Sequence, residues 1–399
     1  MRGKKRRPRL ALWIIAAGGL AVVAWLWLSH GLPEKRGTEG GANSGHRETT
    51  GSGALLHSNE ASSVSSSAYQ VTNTPLITNQ LAAKHAKPAS QIKQPPSSDF
   101  SFFTNAIGVN TNTYPRPVQT VLEMQVALAR LAISPGSIDG QLGGQTHSAL
   151  RAFQKKEHLA ITGEFDQATR EKLLLTQPPF TTYLVSSNDL ARLQPLSPTW
   201  LGKSQQSALD YETVLELLAE KAKSSPNLLR KLNPEVDWSA APSCRTIQMP
   251  NVGYPTVDSH AAWINISLSE KTLEAWDAET NLLSHFPCSI ARQVEKRPVG
   301  ELHVAVIAPN PNYTFDPAIF PESPEAKELK TKLVLPSGPN NPVGLAWIGL
   351  DKPGYGIHGT PSPEQVGRTE SHGCFRLANW NAEYLLKLVE IGLPVSVQP

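Results

Sequence analysis

Nineteen consecutive residues without a charge, LALWIIAAGGLAVVAWLWL (Leu10–Leu28), follow a cluster of six basic residues: Arg2, Lys4, Lys5, Arg6, Arg7 and Arg9. A hydrocarbon core needs about 20 apolar residues at 1.5 Å each, so this segment has the length of one transmembrane helix. The one-sided basic cluster keeps residues 1–9 cytoplasmic and sends everything after Leu28 across the membrane. The next residues, Ser29-His30-Gly31-Leu32-Pro33, offer no small-x-small cleavage site, so 10–28 reads as an uncleaved signal anchor. Whatever else the chain folds into must then do so outside the membrane.

The anchor also explains the charge balance. The net charge is +3, yet the six basic residues before Leu10 account for more than that, and the rest of the chain carries −3. Such a chain has no basic footprint for nucleic acid. From residue 29 to 115 it is rich in Ser, Thr, Asn, Gln, Gly and Ala, as in SNEASSVSSSAYQVTNT, and no apolar period survives. That composition reads as a disordered linker. As a flexible coil of about 80 residues it has an r.m.s. reach of roughly 50 Å. FSFF (Phe100, Phe102, Phe103) is an apolar patch near its end. Three cysteines, Cys244, Cys288 and Cys374, leave at least one unpaired in an exported chain. A Cys244–Cys288 disulfide would leave Cys374 as the odd thiol.

Residues 116–176 read as a compact helical module. Val121, Met124, Leu128 and Leu131 mark one helix face. IDGQLGGQTHSAL (138–150) returns 23 residues later as ITGEFDQATREKL (161–173), each copy a Gly-containing turn and a helix start, with Asp166 as cap of the last helix. A small three-helix module results. Gln125, Leu128, Ile138, Asp139, Gly140, Gly143, Thr146, Ala149, Phe153 and Gln154 together resemble the peptidoglycan-binding domain type 1 family. Most of these are turn glycines and core residues, so the resemblance speaks to the fold more than to binding atoms.

Residues 181–252 have a different texture. SPNLLRKLNPEVDW (225–238) followed by RTIQMPNV (245–252) gives a helix, an Asn-Pro turn and a closing strand, and Leu209, Val214, Leu217 and Leu218 suggest an earlier helix. The stretch resembles the second half of a LysM-like unit, which implies an α/β spacer with or without a glycan site. From about 260 the pattern changes to strands. AWINISL alternates with period two, LEAWDAETNLLSHFPCSI reads as a hairpin with its turn at 278–281, and GELHVAVIAP and VGLAWIGL are further strands. AEYLLKLVEIG reads as a closing helix and PVSVQP as a last strand. Residues 260–399 are therefore expected to be mostly antiparallel β. They are interrupted at 310–341 by a Pro-rich insertion long enough to be a lid candidate.

The chemistry lies in GYGIHGTPSPEQVGRTESHGCFRLANW (354–380). A nucleophilic thiol needs a base to take its proton, and the base needs a partner that holds its tautomer. Cys374 supplies the thiol. His358, 16 residues earlier, lies far enough away to come from a neighbouring strand, and His372 lies two before the cysteine. Gly373 lets backbone amides approach a substrate carbonyl, so the N–H groups of Gly373 and Cys374 are candidate oxyanion donors. The run H-G-T, a gap, then S-H-G-C-x-R-L resembles the signature of the L,D-transpeptidase (YkuD-type) catalytic domain.

That resemblance implies a bacterial cell-envelope enzyme acting on peptidoglycan stem peptides. Cys374 would be its nucleophile, His358 its general base and Gly359 the carbonyl that orients the imidazole. Ser371, His372, Gly373 and Arg376 would line the site, Arg376 pairing with a stem carboxylate or bracing the loop. KRPVG (296–300) and Phe375 depart from the usual pattern.

Ping-pong acyl transfer through a thioester needs neither metal nor ATP. The third stem residue would be the acyl donor with D-Ala leaving, and a second stem amine would give a 3-3 cross-link. The same thioester could instead go to water (an L,D-carboxypeptidase) or to a protein amine, and carbapenems acylate many members of this family. Two rivals stand beside this reading. One is a zinc site of His358, His372 and Cys374, which lacks a clear carboxylate base beyond Glu364 and Glu370. The other is a non-catalytic, membrane-anchored wall-binding protein, which the intact HGT and SHGC runs oppose.

Overall fold

The computed structural model describes residues 113–240, 245–319, 324–369, 371 and 373–399. The expected anchor at 10–28, the linker up to 112, Cys244, Glu370 and His372 lie outside these residues. Among the described residues no helix is long and apolar enough to cross a membrane.

The first module is closed by a short strand pair, β1 (Arg116–Pro117) with β2 (Leu174–Leu175). Between them run α1 (Val121–Arg130), α2 (Gly144–Lys156) and α3 (Gln167–Lys172). Asp166 caps α3 as the sequence predicts, accepting the Thr169 N–H at 2.8 Å. The repeat becomes a repeated hydrogen-bond device. Gln125 accepts from the Gly140 N–H at 2.7 Å and donates to Thr146 Oγ1. Gln154 does the same for the second copy, whose partners lie 23 residues on, with the Gly163 N–H at 2.7 Å and Thr169 Oγ1. Both glycines sit at positive φ (76° and 71°), which side chains rarely adopt, and both glutamines are buried. The motif residues therefore hold the turns.

The stripe expected on α1 is too narrow. Met124 and Leu128 are buried, but so are Leu122 and Val126, while Leu131 is exposed. The helix is covered on more than one side, because the chain just after it pairs with a second layer. Ile133 bridges His285, and the Ser134 N–H donates to the His285 carbonyl at 2.8 Å.

The spacer is a two-stranded antiparallel sheet, β3 (Phe180–Leu184) with β4 (Thr246–Pro250). The chain between them forms α4 (Ser187–Ala191), α5 (Trp200–Ser204), α6 (Val214–Lys221) and α7 (Pro226–Leu232). The predicted Asn-Pro turn locks the closing strand. Asn233 donates to the Gln248 carbonyl and accepts the Gln248 N–H, each at 2.8 Å. Val214, Leu217 and Leu218 do form a buried helical stripe, but Leu209 lies ahead of α6 and packs elsewhere.

The third region is a mixed eight-stranded sheet in the order β13-β12-β11-β8-β14-β5-β6-β7. Its strands are β5 (Trp263–Ser267), β6 (Thr272–Trp276), β7 (Leu282–Pro287), β8 (Gly300–Pro309), β11 (Ala346–Leu350), β12 (Gly356–His358), β13 (Phe375–Arg376) and β14 (Pro394–Gln398). All neighbours are antiparallel except β14–β5 and β12–β13, which are parallel. The alternation of β5 is realised, with Ile264 and Ile266 buried in the core. Ala382, Leu385 and Leu388, on the helix Asn379–Leu388, close that core. Edge strand β7 is covered by residues 132–134 of the first module, which hides its unpaired backbone groups. Cys288, just beyond β7, is a buried thiol, and its candidate disulfide partner Cys244 lies outside the described residues.

The 310–341 insertion forms a small hairpin, β9 (Tyr313–Phe315) with β10 (Leu333–Leu335). A short helix, α8 (Pro324–Glu328), lies between its strands, and the sheet's closing helix is then α9 (Asn379–Leu388). This arm is docked on the spacer. Phe315 stacks on Trp200 at 4.3 Å, Leu209 and Leu335 pack beside it, and Glu325 accepts the N–H groups of Trp200 and Leu201 at the start of α5.

Candidate active site

Parallel pairing of β12 with β13 builds the site. His358 is the last residue of β12, and its register partners are Arg376 on β13 and Trp347 on β11. Cys374 immediately precedes β13, so the 16-residue gap in sequence closes through one strand pair. Its thiol donates to the Gly354 carbonyl with Sγ 3.5 Å from the oxygen.

The His358 ring is buried and stacks on Trp347, centroids 5.7 Å apart. Its Nδ1 lies 2.6 Å from the Gly359 carbonyl. A carbonyl only accepts, so the proton resides on Nδ1 and Nε2 is left as the proton acceptor. Burial drives the imidazole down to about 4, with the Arg376 charge adding to the shift and the Gly359 carbonyl opposing it. Burial also pushes the Cys374 thiol above its ordinary value, against the Gly356 amide and the Arg376 charge. At neutral pH both groups are therefore uncharged, a thiol and a neutral imidazole carried by adjacent strands.

Ser371 braces the cysteine loop from within. Its hydroxyl donates to the Cys374 carbonyl at 2.5 Å and accepts the Gly373 N–H at 3.2 Å. The Gly373 amide expected as an oxyanion donor is thus engaged by Ser371, and serving an oxyanion requires that bond to open. His372 lies outside the described residues. Arg376 is half-buried, and its backbone is tied to Ser289 in both directions at 2.9 and 3.0 Å. Beside it opens a cavity of about 320 Å³, lined by Arg376, Ser289, Thr360, Trp200, Lys203 and Asn340 among others.

Sequence reasoning did not find Tyr313, Trp347, Ser289 or Asn379 as parts of this site. Tyr313, on the inserted arm, is close enough to couple electrostatically to Cys374 and Arg376; burial first, then the Cys374 charge, raises its phenol. Trp347 was readable only as one residue of a strand, Asn379 only as part of the Ala-Asn pair that extends the family resemblance, and Ser289 carries no local signal of its own.

Comparison with known proteins agrees with this layout. The family model for the YkuD L,D-transpeptidase catalytic domain matches residues 261–397, and that for a peptidoglycan binding domain matches 118–173. YkuD of Bacillus licheniformis, itself named an L,D-transpeptidase by inference, is 25% identical over 46% of this chain and 93% of its own length. ErfK/SrfK of Salmonella typhimurium, named in the same way, is 29% identical over 55% of this chain and 72% of its own. Among solved structures, L,D-transpeptidase 3 from Mycobacterium tuberculosis, with a faropenem-derived adduct, is 19% identical over 39% of this chain and 75% of its own, at a TM-score of 0.28, too low to argue from. The chain combines a YkuD-type L,D-transpeptidase catalytic domain with a peptidoglycan-binding module.

Proposed function

We propose that the protein is a cell-envelope L,D-transpeptidase that joins peptidoglycan stems through a thioester on Cys374. The observation that carries this reading is the His358 Nδ1–H···O=C Gly359 bond at 2.6 Å, on the strand paired with the one that Cys374 opens. It leaves Nε2 free of the tautomeric proton and able to act as a base.

The step runs from a neutral pair. Nε2 of His358 takes the thiol proton as Sγ attacks the carbonyl carbon of the third stem residue. The proton then passes to the amine of the departing D-Ala, and the C–N bond breaks to leave a thioester. A side-chain amine of a second stem attacks that thioester and gives up a proton to His358. The new amide is a 3-3 cross-link, and the thiol is restored. Because burial disfavours both thiolate and imidazolium, proton transfer accompanies attack instead of preceding it. The amides of Gly373 and Cys374 hold the oxyanion once Ser371 releases the first. His372 and Arg376 line the site, Arg376 facing the donor's carboxylate.

In this reading residues 10–28 anchor the chain in the inner membrane, 29–115 tether it, and the modules at 116–176 and 181–252 (the latter a LysM-like spacer) hold the 260–399 domain at the wall. A carbapenem, whose strained carbonyl is open to the same attack by Sγ, forms a covalent adduct on Cys374.

The test is mass spectrometry of stem tetrapeptides incubated with the full chain in detergent, beside Cys374→Ala. Loss of D-Ala with a cross-linked dimer, both absent from the variant, supports the proposal. Tripeptide without dimer moves the function to carboxypeptidase chemistry. Equal activity in the variant overturns the thiol reading, and a rate abolished by a chelator would point to the zinc alternative.

A further inference from the structure

We infer that Glu220, on α6 of the spacer, is a positioning residue for the general base, acting through Asn379 on the Gly359–Thr360 peptide that sets the His358 tautomer. The inference rests on the reading of His358 as the base for Cys374.

The path is short and wholly buried. Asn379, the first residue of α9, is 0% exposed. Its Oδ1 accepts the Thr360 N–H at 3.0 Å and the Leu345 N–H at 3.2 Å. Its Nδ2 donates to Glu220 Oε1 at 3.0 Å, to Oε2 at 3.2 Å, and to the Pro339 carbonyl at 3.1 Å. The amide orientation is unambiguous, because backbone N–H groups only donate and a backbone carbonyl only accepts. The carboxyl of Glu220 is the side-chain partner at the nitrogen end, and Tyr211 donates to its Oε2 at 3.4 Å.

The Thr360 N–H and the Gly359 C=O belong to one peptide unit. In a planar trans peptide they point to opposite sides. One face of that unit is therefore held by Asn379 Oδ1, and the other accepts the His358 Nδ1 proton. Rotating the plane to release Asn379 also removes the acceptor that keeps the proton on Nδ1. The contact is built tightly. A Cβ on Gly359 or on Gly344 would run into Asn379 Oδ1, so glycine at both positions is what lets the amide reach the peptide.

Without Glu220, Asn379 keeps one acceptor at its nitrogen end, and its amide can turn. The Thr360 N–H then loses a buried partner, which favours a different setting of the peptide plane. Once Gly359 no longer holds Nδ1–H, the imidazole proton redistributes toward Nε2, where it blocks acceptance of the thiol proton. The spacer thereby contributes to catalysis without touching substrate. Partners that orient metal-ligating histidines through comparable hydrogen bonds are worth about 10- to 100-fold, which sets the scale here.

The experiment uses the full chain in detergent with Glu220→Ala, the isosteric Glu220→Leu and the conservative Glu220→Gln. The expected result is a kcat loss of about 10- to 100-fold in E220A and E220L with KM little changed, and near-complete rescue in E220Q, whose amide oxygen still accepts from Asn379. Nitrogen-15 spectra of labelled histidine read the tautomer directly: wild type and E220Q give the Nδ1–H pattern for His358, E220A and E220L a mixture. A merely structural role would lower stability and leave that pattern unchanged. Unchanged kcat and tautomer in folded E220L overturn the inference, as does failure of E220Q to restore either. If wild type itself shows no Cys374-dependent turnover, the functional reading fails instead, while the spectra still report whether Glu220 controls His358.

Discussion

Replacing Glu220 by Gln should change how stability depends on pH, by an amount that the structure sets. Burial raises the Glu220 carboxyl to about 8, with the Glu216 and Glu383 charges adding and hydrogen bonds from Asn379 and Tyr211 opposing. An unfolded chain releases the same proton near 4.5. Between these values the folded state binds one proton more than the unfolded state, so stability falls as pH rises, by about 1.4 kcal/mol per pH unit. The contribution is fully present below about 4.5 and gone above about 8.

His358 acts in the opposite sense. Its folded value is about 4 against 6.5 when unfolded, so stability rises with pH across that window. The two slopes largely cancel up to pH 6.5, and between 6.5 and 8 Glu220 contributes about 2 kcal/mol that His358 no longer offsets. Glu216, on the same helix, and Glu383, from α9, are also raised above their ordinary value by burial. The difference between wild type and E220Q, not the wild-type curve itself, is therefore the measure. Urea unfolding of the full chain followed by tryptophan fluorescence at pH 6.5, 7.2 and 8 should show E220Q gaining about 2 kcal/mol on wild type across the series. Parallel curves would mean that Glu220 is ionised in the folded protein, and the linkage argument would fail.

Three further outcomes follow from the geometry. Because burial holds His358 down to about 4, the acid limb of kcat/KM should fall near that value and not near 6.5, as a pH series of single-turnover acylation will show. Gly359→Ala drives a Cβ into Asn379 Oδ1 and should cost stability and rate together, by about 1–3 kcal/mol in unfolding. His285 is buried between Glu274, 3.1 Å from Nδ1, and Ser148 of the first module, 3.3 Å from Nε2, so His285→Ala leaves a half-buried carboxylate without this partner. It should destabilise the protein by about 1–3 kcal/mol and speed proteolysis between residues 156 and 180, while a rate unchanged per folded molecule would confirm that this Ser-His-Glu row is structural.

What was legible in the sequence was what the chain writes locally. Asp166 announces its helix because a cap acts three residues away. Ile264 and Ile266 show their strand because its two faces alternate. Cys374 and His358 stand out because thiol and imidazole keep their chemistry wherever the backbone takes them. Contacts between modules leave no such trace. The burial of α1 on more than one side follows from the pairing of Ile133 with His285, and Leu209 belongs to the core of an arm whose Phe315 lies more than a hundred residues on.

Glu220 is the sharpest case. In sequence it is one acidic residue on a helix whose other face is apolar, the usual setting of a solvated side chain. It is nonetheless buried and directed at Asn379, 159 positions away. A carboxyl is tolerated there because the amide of Asn379, with its oxygen already committed to two backbone N–H groups, presents its nitrogen end to it. An apolar residue at 220 would fill the volume and leave that nitrogen short of an acceptor. The acid thus follows from the state of a peptide two residues long beside the base, and no window of sequence around residue 220 contains it.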